Sequence, residues 1–371
     1  MKALSTNNPG SAKTTGREKD RMSVRIGIIG TGGMARGHAR SYGSMKGVKT
    51  TCCCDIEEAK VEAFSRKWKI PAYYTDYREM LEKEELDGVS VVTPDRMHAD
   101  ISIAALQRGI GVLCEKPMAD TLEQAKRMLE AARGSKAVHM INFSKRNFSG
   151  LQGAAQFVKS GGIGRIVHAE ASYLQGWIVT SIWGNWREDP RFLWRLSDAS
   201  GANGALGDIG CHIYDLVGFL CGDISEIYCR TANYDKGVEN NRIGHYVLDA
   251  NDSFVSAVRF AGGAVGTIHA TRWAGGFADR QFARLAGEKG TVEFDSEAAP
   301  AAFRRFTVEE NRWKKVECKA TPSNYERFAA ALRSGESDVS DFENGFRIQC
   351  CLDASLRSER ERKPVALDFG Q

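Results

Sequence analysis

Two side chains suited to proton transfer, Asp208 and His212, lie four residues apart in the middle of the chain. They follow a glycine-rich stretch over residues 201–207 and open an apolar pattern typical of a helix. Residues four apart share one helical face, and a carboxylate there can orient an imidazole and tune its pKa for acid–base work. In the alternative, Asp208 caps the helix and His212 is a hydrogen-bonded core residue. Taken alone, the pair fits that alternative better. A second motif makes the acid–base interpretation stronger.

The second motif is a glycine-rich turn between a strand pattern over residues 24–29 and a helix pattern over residues 36–42. It consists of Gly30, Thr31, Gly32, Gly33, Met34 and Ala35. This run fits the dinucleotide fingerprint G-x-G-x-x-G/A in the context that the fingerprint requires. Gly30 would permit the tight turn, Gly32 the approach of a pyrophosphate, and Ala35 close packing of the helix, whose N-terminus attracts phosphate. The alternative is an ordinary strand-to-helix turn.

Asp55 ends the next strand pattern, over residues 48–54. It lies about 20 residues beyond Gly32, where this fold places a carboxylate against the ribose hydroxyls. Because such a carboxylate also repels a 2′-phosphate, the sequence predicts NAD in preference to NADP. A role for Asp55 in capping the following helix, over residues 56–67, is compatible with this prediction.

Two polar loops follow the strand patterns over residues 88–92 and 110–114. The first holds Thr93, Pro94, Asp95 and His98, and the second holds Glu115, Lys116 and Pro117. Parallel sheets bind ligands at the carboxyl ends of their strands. Lys116 could therefore be a positioned ammonium donor, with Pro117 a candidate for a cis bond that fixes the turn. The alternative is that Lys116 is an ordinary solvated lysine.

The elements that position these residues predict an α/β protein with two domains. Strand and helix patterns alternate on short connections up to residue 143, which indicates a doubly wound parallel sheet. Beyond it, strand patterns with two-residue alternation predict a largely antiparallel, open-faced sheet with two closing helices. We therefore divide the chain into a disordered tail over residues 1–22, a Rossmann-type NAD-binding domain over residues 23–145 and a substrate-binding and oligomerisation domain over residues 146–371.

The composition excludes several classes of protein. With 371 residues, 42% hydrophobic content and a net charge of +4, the chain carries neither a nucleic-acid footprint nor a membrane-spanning run. The ten cysteines include adjacent runs that do not form a disulfide framework, so we expect a reducing, cytoplasmic compartment. No Cys and His spacing suggests a metal site.

A tryptophan-rich segment precedes the Asp208 motif. It contains Trp177, Trp183, Trp186 and Trp194, interleaved with Asn185, Arg187, Asp189 and Arg195. Aromatic rings stack on the apolar faces of sugars, but they are equally at home in domain or subunit interfaces. If this segment binds a ligand, Trp186 and Arg187 are the residues we expect to face it.

With these residues assembled, the chain resembles the Gfo/Idh/MocA family of oxidoreductases from residue 22 onward. The resemblance is carried by the glycine turn, Thr93-Pro94 with His98, Glu115-Lys116-Pro117, Phe143 with Arg146, and the segment 204–215 around Asp208 and His212. It implies a substrate pocket between the domains and a homodimer or homotetramer. Lys116, Asp208 and His212 look like the catalytic set, and Thr93, Pro94, His98, Glu115 and Lys116 are expected near the cofactor. Arg146 is expected near the substrate.

The mechanism implied by the resemblance is oxidation of a ring hydroxyl. His212 would accept the hydroxyl proton, Asp208 would orient His212, and Lys116 would hydrogen-bond the reacting oxygen while NAD takes the hydride. The expected substrate is a cyclic polyol or sugar, such as an inositol, aldose or anhydrosugar. Two alternatives are a redox-neutral glycosidase or lyase that uses bound NAD, and a non-catalytic regulator; the presence of all three residues argues against the regulator.

Overall fold

The computed structural model describes residues 23–200 and 203–369, and two β-sheets organise them. The predicted tail, residues 1–22, lies outside these ranges. The first sheet is parallel, with strand order β3-β2-β1-β4-β5-β6. Its strands are β1 (Val24–Ile29), β2 (Val48–Cys54), β3 (Ala72–Tyr74), β4 (Gly88–Val91), β5 (Gly111–Cys114) and β6 (His139–Ile141). The order reverses between β1 and β4, and a ligand crevice forms at such a switch point.

Helices connect these strands, as the alternating patterns predict. They are α1 (Ala35–Ser44), α2 (Glu58–Trp68), α3 (Tyr77–Lys83), α4 (His98–Leu106) and α5 (Leu122–Arg133). The apolar residues of the strands are buried, with Ile26 and Ile28 fully enclosed, because both faces of the sheet are covered. At the start of α5, the Thr121 hydroxyl accepts a hydrogen bond from the Gln124 N–H at 3.2 Å and caps the helix.

The second sheet has the order β16-β15-β14-β13-β7-β12-β11-β8-β17. Its strands are β7 (Ile166–Leu174), β8 (Ile224–Ala232), β11 (Ser253–Phe260), β12 (Val265–Thr271), β13 (Arg280–Gly287), β14 (Gly290–Asp295), β15 (Ala302–Thr307), β16 (Arg312–Glu317) and β17 (Val365–Ala366), and a separate ribbon pairs β9 (Arg242–Ile243) with β10 (Tyr246–Val247). Among the described residues of this second sheet, only β7 and β12 pair in parallel. The sequence analysis missed β15 and β16 because neither strand alternates clearly between buried and exposed residues.

The remaining helices follow β6 in the sequence. They are α6 (Ser149–Lys159), α7 (Pro190–Leu193), α8 (Cys211–Cys221), α9 (Asn324–Ser334) and α10 (Phe342–Glu361). Helices α6, α8 and α10 pack on one face of the second sheet. Its other face is open and carries exposed Val167, Tyr228, Val255 and Val265. No helix in the described part of the chain is long and apolar enough to cross a membrane.

Helix α9 returns to the first sheet although it lies late in the sequence. Its Phe328 joins the buried cluster of Ile26 and Ile28. The helix comes so close to β4 that a Cβ at Gly88 would lie 2.9 Å from the Phe328 ring. The sequence analysis placed this helix with the second domain, but its packing partner is the parallel sheet.

A buried ion pair joins the turn after β6 to α8 and α10. Arg146 donates to both carboxylate oxygens of Asp215, at 2.8 and 2.6 Å, and also to Asn344 at 3.0 Å and the Val339 carbonyl at 3.3 Å. The side chains of Arg146 and Asp215 are only 2% and 3% exposed. The structure therefore does not support the expected contact of Arg146 with substrate, because protein groups occupy its guanidinium.

Replacing Arg146 with methionine should destabilise the fold. The substitution leaves Asp215 buried without its cation, and breaking such a pair costs about 3–5 kcal/mol. Urea denaturation of Arg146→Met would measure the change. Arg133→Met is the matched control, because Arg133 forms an exposed pair with Glu343 whose loss should cost less than about 1 kcal/mol. Equal stability of the two variants would contradict the assignment of Arg146 to the fold.

Candidate active site

The two sheets meet where Lys116 reaches Asp208. Lys116 follows β5 of the first sheet, and its Nζ lies 2.9 Å from Asp208 Oδ1 and 3.0 Å from the Asp208 carbonyl oxygen. Asp208 belongs to a π-helical turn, Leu206–Gly210, that leads into α8. The structure thus brings together Lys116, Asp208 and the first turn of α8, which carries His212.

The glycine turn has the shape of a phosphate cradle. Gly30 has a φ of +92°, and a Cβ there would lie 2.5 Å from the Val92 carbonyl oxygen, so this position requires glycine. A Cβ at Gly32 or Gly33 would meet no described atom within 4 Å, which leaves open space above the turn. Ala35 is fully buried where α1 packs on the sheet. These residues fit the pyrophosphate of a dinucleotide.

Asp55 lies beside the glycine turn. Its Oδ2 accepts hydrogen bonds from the Thr31 N–H at 2.8 Å and the Thr31 hydroxyl at 2.7 Å. Burial alone would raise the pKa of Asp55, but the bonds from Thr31 and the nearby Lys60 lower it below 3.8. An ionised acceptor therefore sits where a ribose would bind. Asp55 also accepts from the Glu57 N–H at 3.3 Å, so its capping role is present in part.

His98 joins the two polar loops. Its Nδ1 lies 3.0 Å from the Pro117 carbonyl oxygen and its Nε2 lies 3.0 Å from the Thr93 carbonyl oxygen. The ring is buried, and the Lys116–Pro117 peptide bond is cis. His98 thus holds the loop of Thr93 and Pro94 against the loop of Lys116, and its ring nitrogens face protein carbonyls instead of a ligand.

Glu115 points into the first sheet, beneath Lys116. Its Oε1 accepts from Asn142 at 2.6 Å and lies 2.9 Å from His38 Nε2. Burial alone would raise the pKa of Glu115, but these two partners lower it below 4.5. Glu115 therefore supports the loop from below. Sequence reasoning did not find His38 or Asn142, since neither belongs to a recognisable motif.

Asp208 is the centre of a cluster of cations. Its Oδ2 accepts from Arg272 Nη2 at 2.9 Å and lies 3.3 Å from Arg195 Nε, opposite the contact with Lys116. Arg272 is fully buried and also donates to the carbonyls of Arg195 and Gly204. The sequence analysis missed Arg272. The feature of the sequence that could have indicated a role for it is its position directly after a strand pattern, where ligand-binding residues often lie.

The cluster sets the charge states of Lys116 and Asp208. Burial alone would raise the pKa of Asp208, but Lys116, Arg195 and Arg272 hold it well below 3.8. Burial would lower the pKa of Lys116, but Asp208 above all raises it beyond 10.5. The carboxylate and the ammonium are therefore both charged across the physiological range of pH.

His212 is a buried neutral imidazole. Its ring lies between Tyr173 and Phe143, at centroid distances of 6.1 and 6.3 Å. Burial lowers the pKa of His212 well below 6.5, and the ammonium groups of Lys116 and Lys145 lower it further, against a weaker opposing effect of Asp208. Its Nδ1 has no hydrogen-bond partner among the described residues.

The sequence analysis expected Asp208 to orient His212, but no hydrogen bond joins the two side chains in the part of the chain that the structure describes, and Asp208 acts on the pKa of His212 only through its charge. Among the described residues, the Asp208 carboxylate is instead bonded to Lys116 and Arg272. The expectation rested on α-helical spacing, whereas the turn through Asp208 is a π-helix. A π-turn holds one more residue than an α-turn, which changes the side chains that share a face.

The tryptophan segment forms a small core of its own. Trp186 is 3% exposed, and its Nε1 donates to the Ile178 carbonyl at 2.9 Å. The Arg187 guanidinium lies 4.5 Å from the Trp186 ring centre and donates to the Lys236 carbonyl. Trp186 is therefore buried within the protein and does not face a ligand, whereas Arg187 is exposed and its expected contact with a ligand stays a prediction.

Several characterised proteins are similar to this chain. It is 28% identical over 299 residues to levoglucosan dehydrogenase of Pseudarthrobacter phenanthrenivorans, covering 74% of each chain. It is 23% identical over 356 residues to D-apiose dehydrogenase of Paraburkholderia graminis, covering 92% of this chain and 88% of that protein. A solved structure of levoglucosan dehydrogenase in complex with NADH and levoglucosan shares the fold, with a TM-score of 0.81 at 24% identity over 93% of this chain and 99% of that chain.

Two family models match the two sheets in turn. Residues 24–143 match an oxidoreductase family with an NAD-binding Rossmann fold, and residues 151–293 match the GFO/IDH/MocA C-terminal domain. These matches confirm the family resemblance, the fold class and the NAD cofactor inferred from the motifs. The chain belongs to the GFO/IDH/MocA family of oxidoreductases.

Proposed function

We propose that this protein is an NAD-dependent dehydrogenase that oxidises a secondary hydroxyl of a cyclic polyol or sugar. The observation that carries the proposal is a neutral, buried His212 beside the ammonium of Lys116, at the carboxyl edge of a sheet with a dinucleotide cradle. A base and a hydrogen-bond donor are the two groups that hydroxyl oxidation requires from the protein. The similar proteins named levoglucosan and D-apiose dehydrogenase support a carbohydrate substrate.

Each residue has a distinct role in this proposal. When bound, NAD supplies the hydride acceptor. His212 accepts the hydroxyl proton, for which its neutral state prepares it, and Lys116 donates a hydrogen bond to the reacting oxygen and stabilises its developing charge. Asp208 positions Lys116 directly, and its own charge opposes the lowering of the His212 pKa only weakly. Residues 23–145 would bind the cofactor and residues 146–371 would supply most of the substrate pocket.

Two features bear on the protein's state in the cell. The open face of the second sheet exposes Val167, Tyr228, Val255 and Val265, and we propose that it forms the interface of a homodimer or homotetramer. All ten cysteines are free thiols, most of them buried, which supports a reducing, cytoplasmic location.

A spectrophotometric assay tests the function. Purified protein would be mixed with NAD, and separately with NADP, against a panel of inositols, aldoses and anhydrosugars, and NADH or NADPH formation would be followed. We expect turnover of at least one panel compound with NAD and a preference over NADP, because Asp55 is ionised. Turnover with NADP alone would contradict the role of Asp55. If NAD co-purifies but no panel compound is oxidised, the redox-neutral glycosidase or lyase replaces the dehydrogenase.

Removing the base or the ammonium should abolish turnover without abolishing cofactor binding. Loss of a general acid–base group typically costs about 10²–10⁴ in rate, so we expect kcat of His212→Asn and Lys116→Met to fall by that order. NADH binding, measured by calorimetry, should persist because neither residue lies at the glycine turn. His245→Asn is the control, since His245 is exposed at the turn of the β9–β10 ribbon. Near-normal kcat in His212→Asn would refute the role of His212.

The pH dependence of kcat/KM should reflect the lowered pKa of His212. The neutral imidazole is the active form, so activity is present at neutral pH and is lost as the pH falls through the pKa of His212. Because that pKa lies well below 6.5, we expect the acidic inflection of kcat/KM well below pH 6.5. Protonated Lys116 is also required, and its raised pKa leaves this form intact up to pH 10.5. An acidic inflection at or above pH 6.5 would contradict the assignment of His212 as base.

A further inference from the structure

A second lysine–carboxylate pair lies at the candidate active site and has no role in the mechanism above. Lys145 follows β6, in the turn Ser144–Asn147, and its Nζ is hydrogen-bonded to Asp279 Oδ2. Asp279 precedes β13 in the second sheet, so this pair also bridges the two halves of the chain. The side chains are 20% and 35% exposed, which leaves both accessible to a small molecule.

The pair is held in place from several directions. Asp279 Oδ1 accepts hydrogen bonds from the Tyr173 hydroxyl at 2.5 Å and from Gln175 Nε2 at 2.8 Å. The Asp279 N–H donates to Glu297 at 2.7 Å. A binding group that protein contacts hold in position before the ligand arrives loses less freedom on binding.

Tyr173 places the pair next to the proposed base. The Lys145 Nζ lies 5.7 Å from the centre of the Tyr173 ring, and the same ring lies 6.1 Å from the His212 ring. A sugar ring whose hydroxyl contacts His212 therefore has further hydroxyls within reach of Lys145 and Asp279.

The unused hydrogen-bonding capacity of the pair matches hydroxyl groups. An ammonium has three donors and a carboxylate about four acceptor positions. Counting the described partners, Lys145 uses one donor on Asp279, and Asp279 accepts from Tyr173, Gln175 and Lys145. Two donors and one acceptor position remain side by side, which suits neighbouring hydroxyls that both donate and accept. The opposite charges balance, so the pair does not require a charged ligand.

A buried amide oxygen beside the pair is also without a partner. Gln281 pairs with Tyr173 across β13 and β7 and is fully buried. Its side chain interacts with the Tyr173 hydroxyl, whereas its Oε1 has no hydrogen-bond partner among the described residues. A buried polar group without a partner costs free energy, and a ligand hydroxyl or a water that it orders would satisfy it.

We propose that Lys145 and Asp279 form a second binding subsite that recognises a pair of neighbouring hydroxyls on the substrate ring, away from the hydroxyl that His212 deprotonates. The proposal rests on the proposed function for its ligand class, a neutral polyhydroxylated ring. It makes Lys145 and Asp279 the residues that determine which hydroxyl pattern is accepted, and it leaves proton transfer to His212.

Calorimetric binding to the NADH-loaded protein tests the subsite without turnover, because NADH cannot accept a hydride. Levoglucosan, myo-inositol and D-glucose are the probes, followed by the monodeoxy derivatives of the tightest binder. Charge-assisted hydrogen bonds are the stronger class, so we expect Lys145→Met and Asp279→Asn each to weaken binding at least about tenfold. Lys145→Arg should bind better than Lys145→Met, because it retains the charge and the donors.

The deoxy derivatives separate a direct contact from a structural effect. Wild-type protein should lose affinity for the derivatives that lack either contacted hydroxyl. Asp279→Asn should no longer discriminate the derivative that lacks the hydroxyl contacted by Asp279, while it should still discriminate the one that lacks the hydroxyl contacted by Lys145. The matched controls are Lys314→Met and Glu310→Gln. These residues form a lysine–carboxylate pair with 33% and 28% exposed side chains at edge strand β16, four strands from β7. Both controls should bind as wild type does, and melting temperatures would confirm that every variant is folded.

The outcomes distinguish the subsite from the function. Unchanged affinity in folded Lys145→Met and Asp279→Asn overturns the subsite. So does full discrimination of both derivatives by Asp279→Asn, or a failure of wild-type protein to bind any probe. A probe may bind to wild-type protein and bind more weakly to both variants, as expected, while wild-type protein with NAD forms no NADH from that probe. In that case the subsite stands and the dehydrogenase proposal fails for that compound.

Discussion

The contact between Lys116 and Asp208 is the constraint around which the site is built. Lys116 extends from the parallel sheet and Asp208 from the turn above the second sheet, so this ion pair joins the two halves at the candidate active site. Both charges are largely withdrawn from water, which is favourable only when further partners satisfy them. Arg272 supplies such a partner for Asp208, and the loop that carries Lys116 is secured by His98. These additional contacts are therefore needed because the ion pair is buried.

The same burial explains the state of His212. Asp208 is in contact with three cations, so little of its charge is left to stabilise a protonated imidazole. Burial has the largest effect and disfavours a positive charge on the ring, and Lys116 and Lys145 disfavour it further. An excess of positive charge around one buried carboxylate therefore keeps the neighbouring base neutral. In this arrangement the carboxylate positions the ammonium, and the ammonium in turn adjusts the imidazole.

The sequence predicted what depends on local pattern and failed where distant segments meet. The sequence analysis could single out Gly30, Asp55 and Lys116 because strand ends, turns and spacing are local properties, and the order of elements followed from alternation. Arg272 and Asp279 were missed because their importance arises only when β12 and β13 are set beside β7. Trp186 was misjudged because composition alone does not tell a ring packed in a core from a ring that faces a ligand. The π-turn through Asp208 has no distinctive sequence signal, so the α-helical spacing argument did not anticipate that the Asp208 carboxylate would bind Lys116 and Arg272.

The position of α9 limits how this protein can be divided. Its Phe328 helps to enclose the core of the parallel sheet, although more than half of the chain separates it from those strands. A fragment cut after the last parallel strand would expose that apolar surface to water. A chimera that joins this cofactor-binding half to the substrate-binding half of a relative would likewise need to retain the native helix, or a replacement with the same small-residue contact at Gly88. The cofactor-binding half is therefore built from two separate segments of the sequence, and substitutions in the parallel sheet and in α9 should vary together.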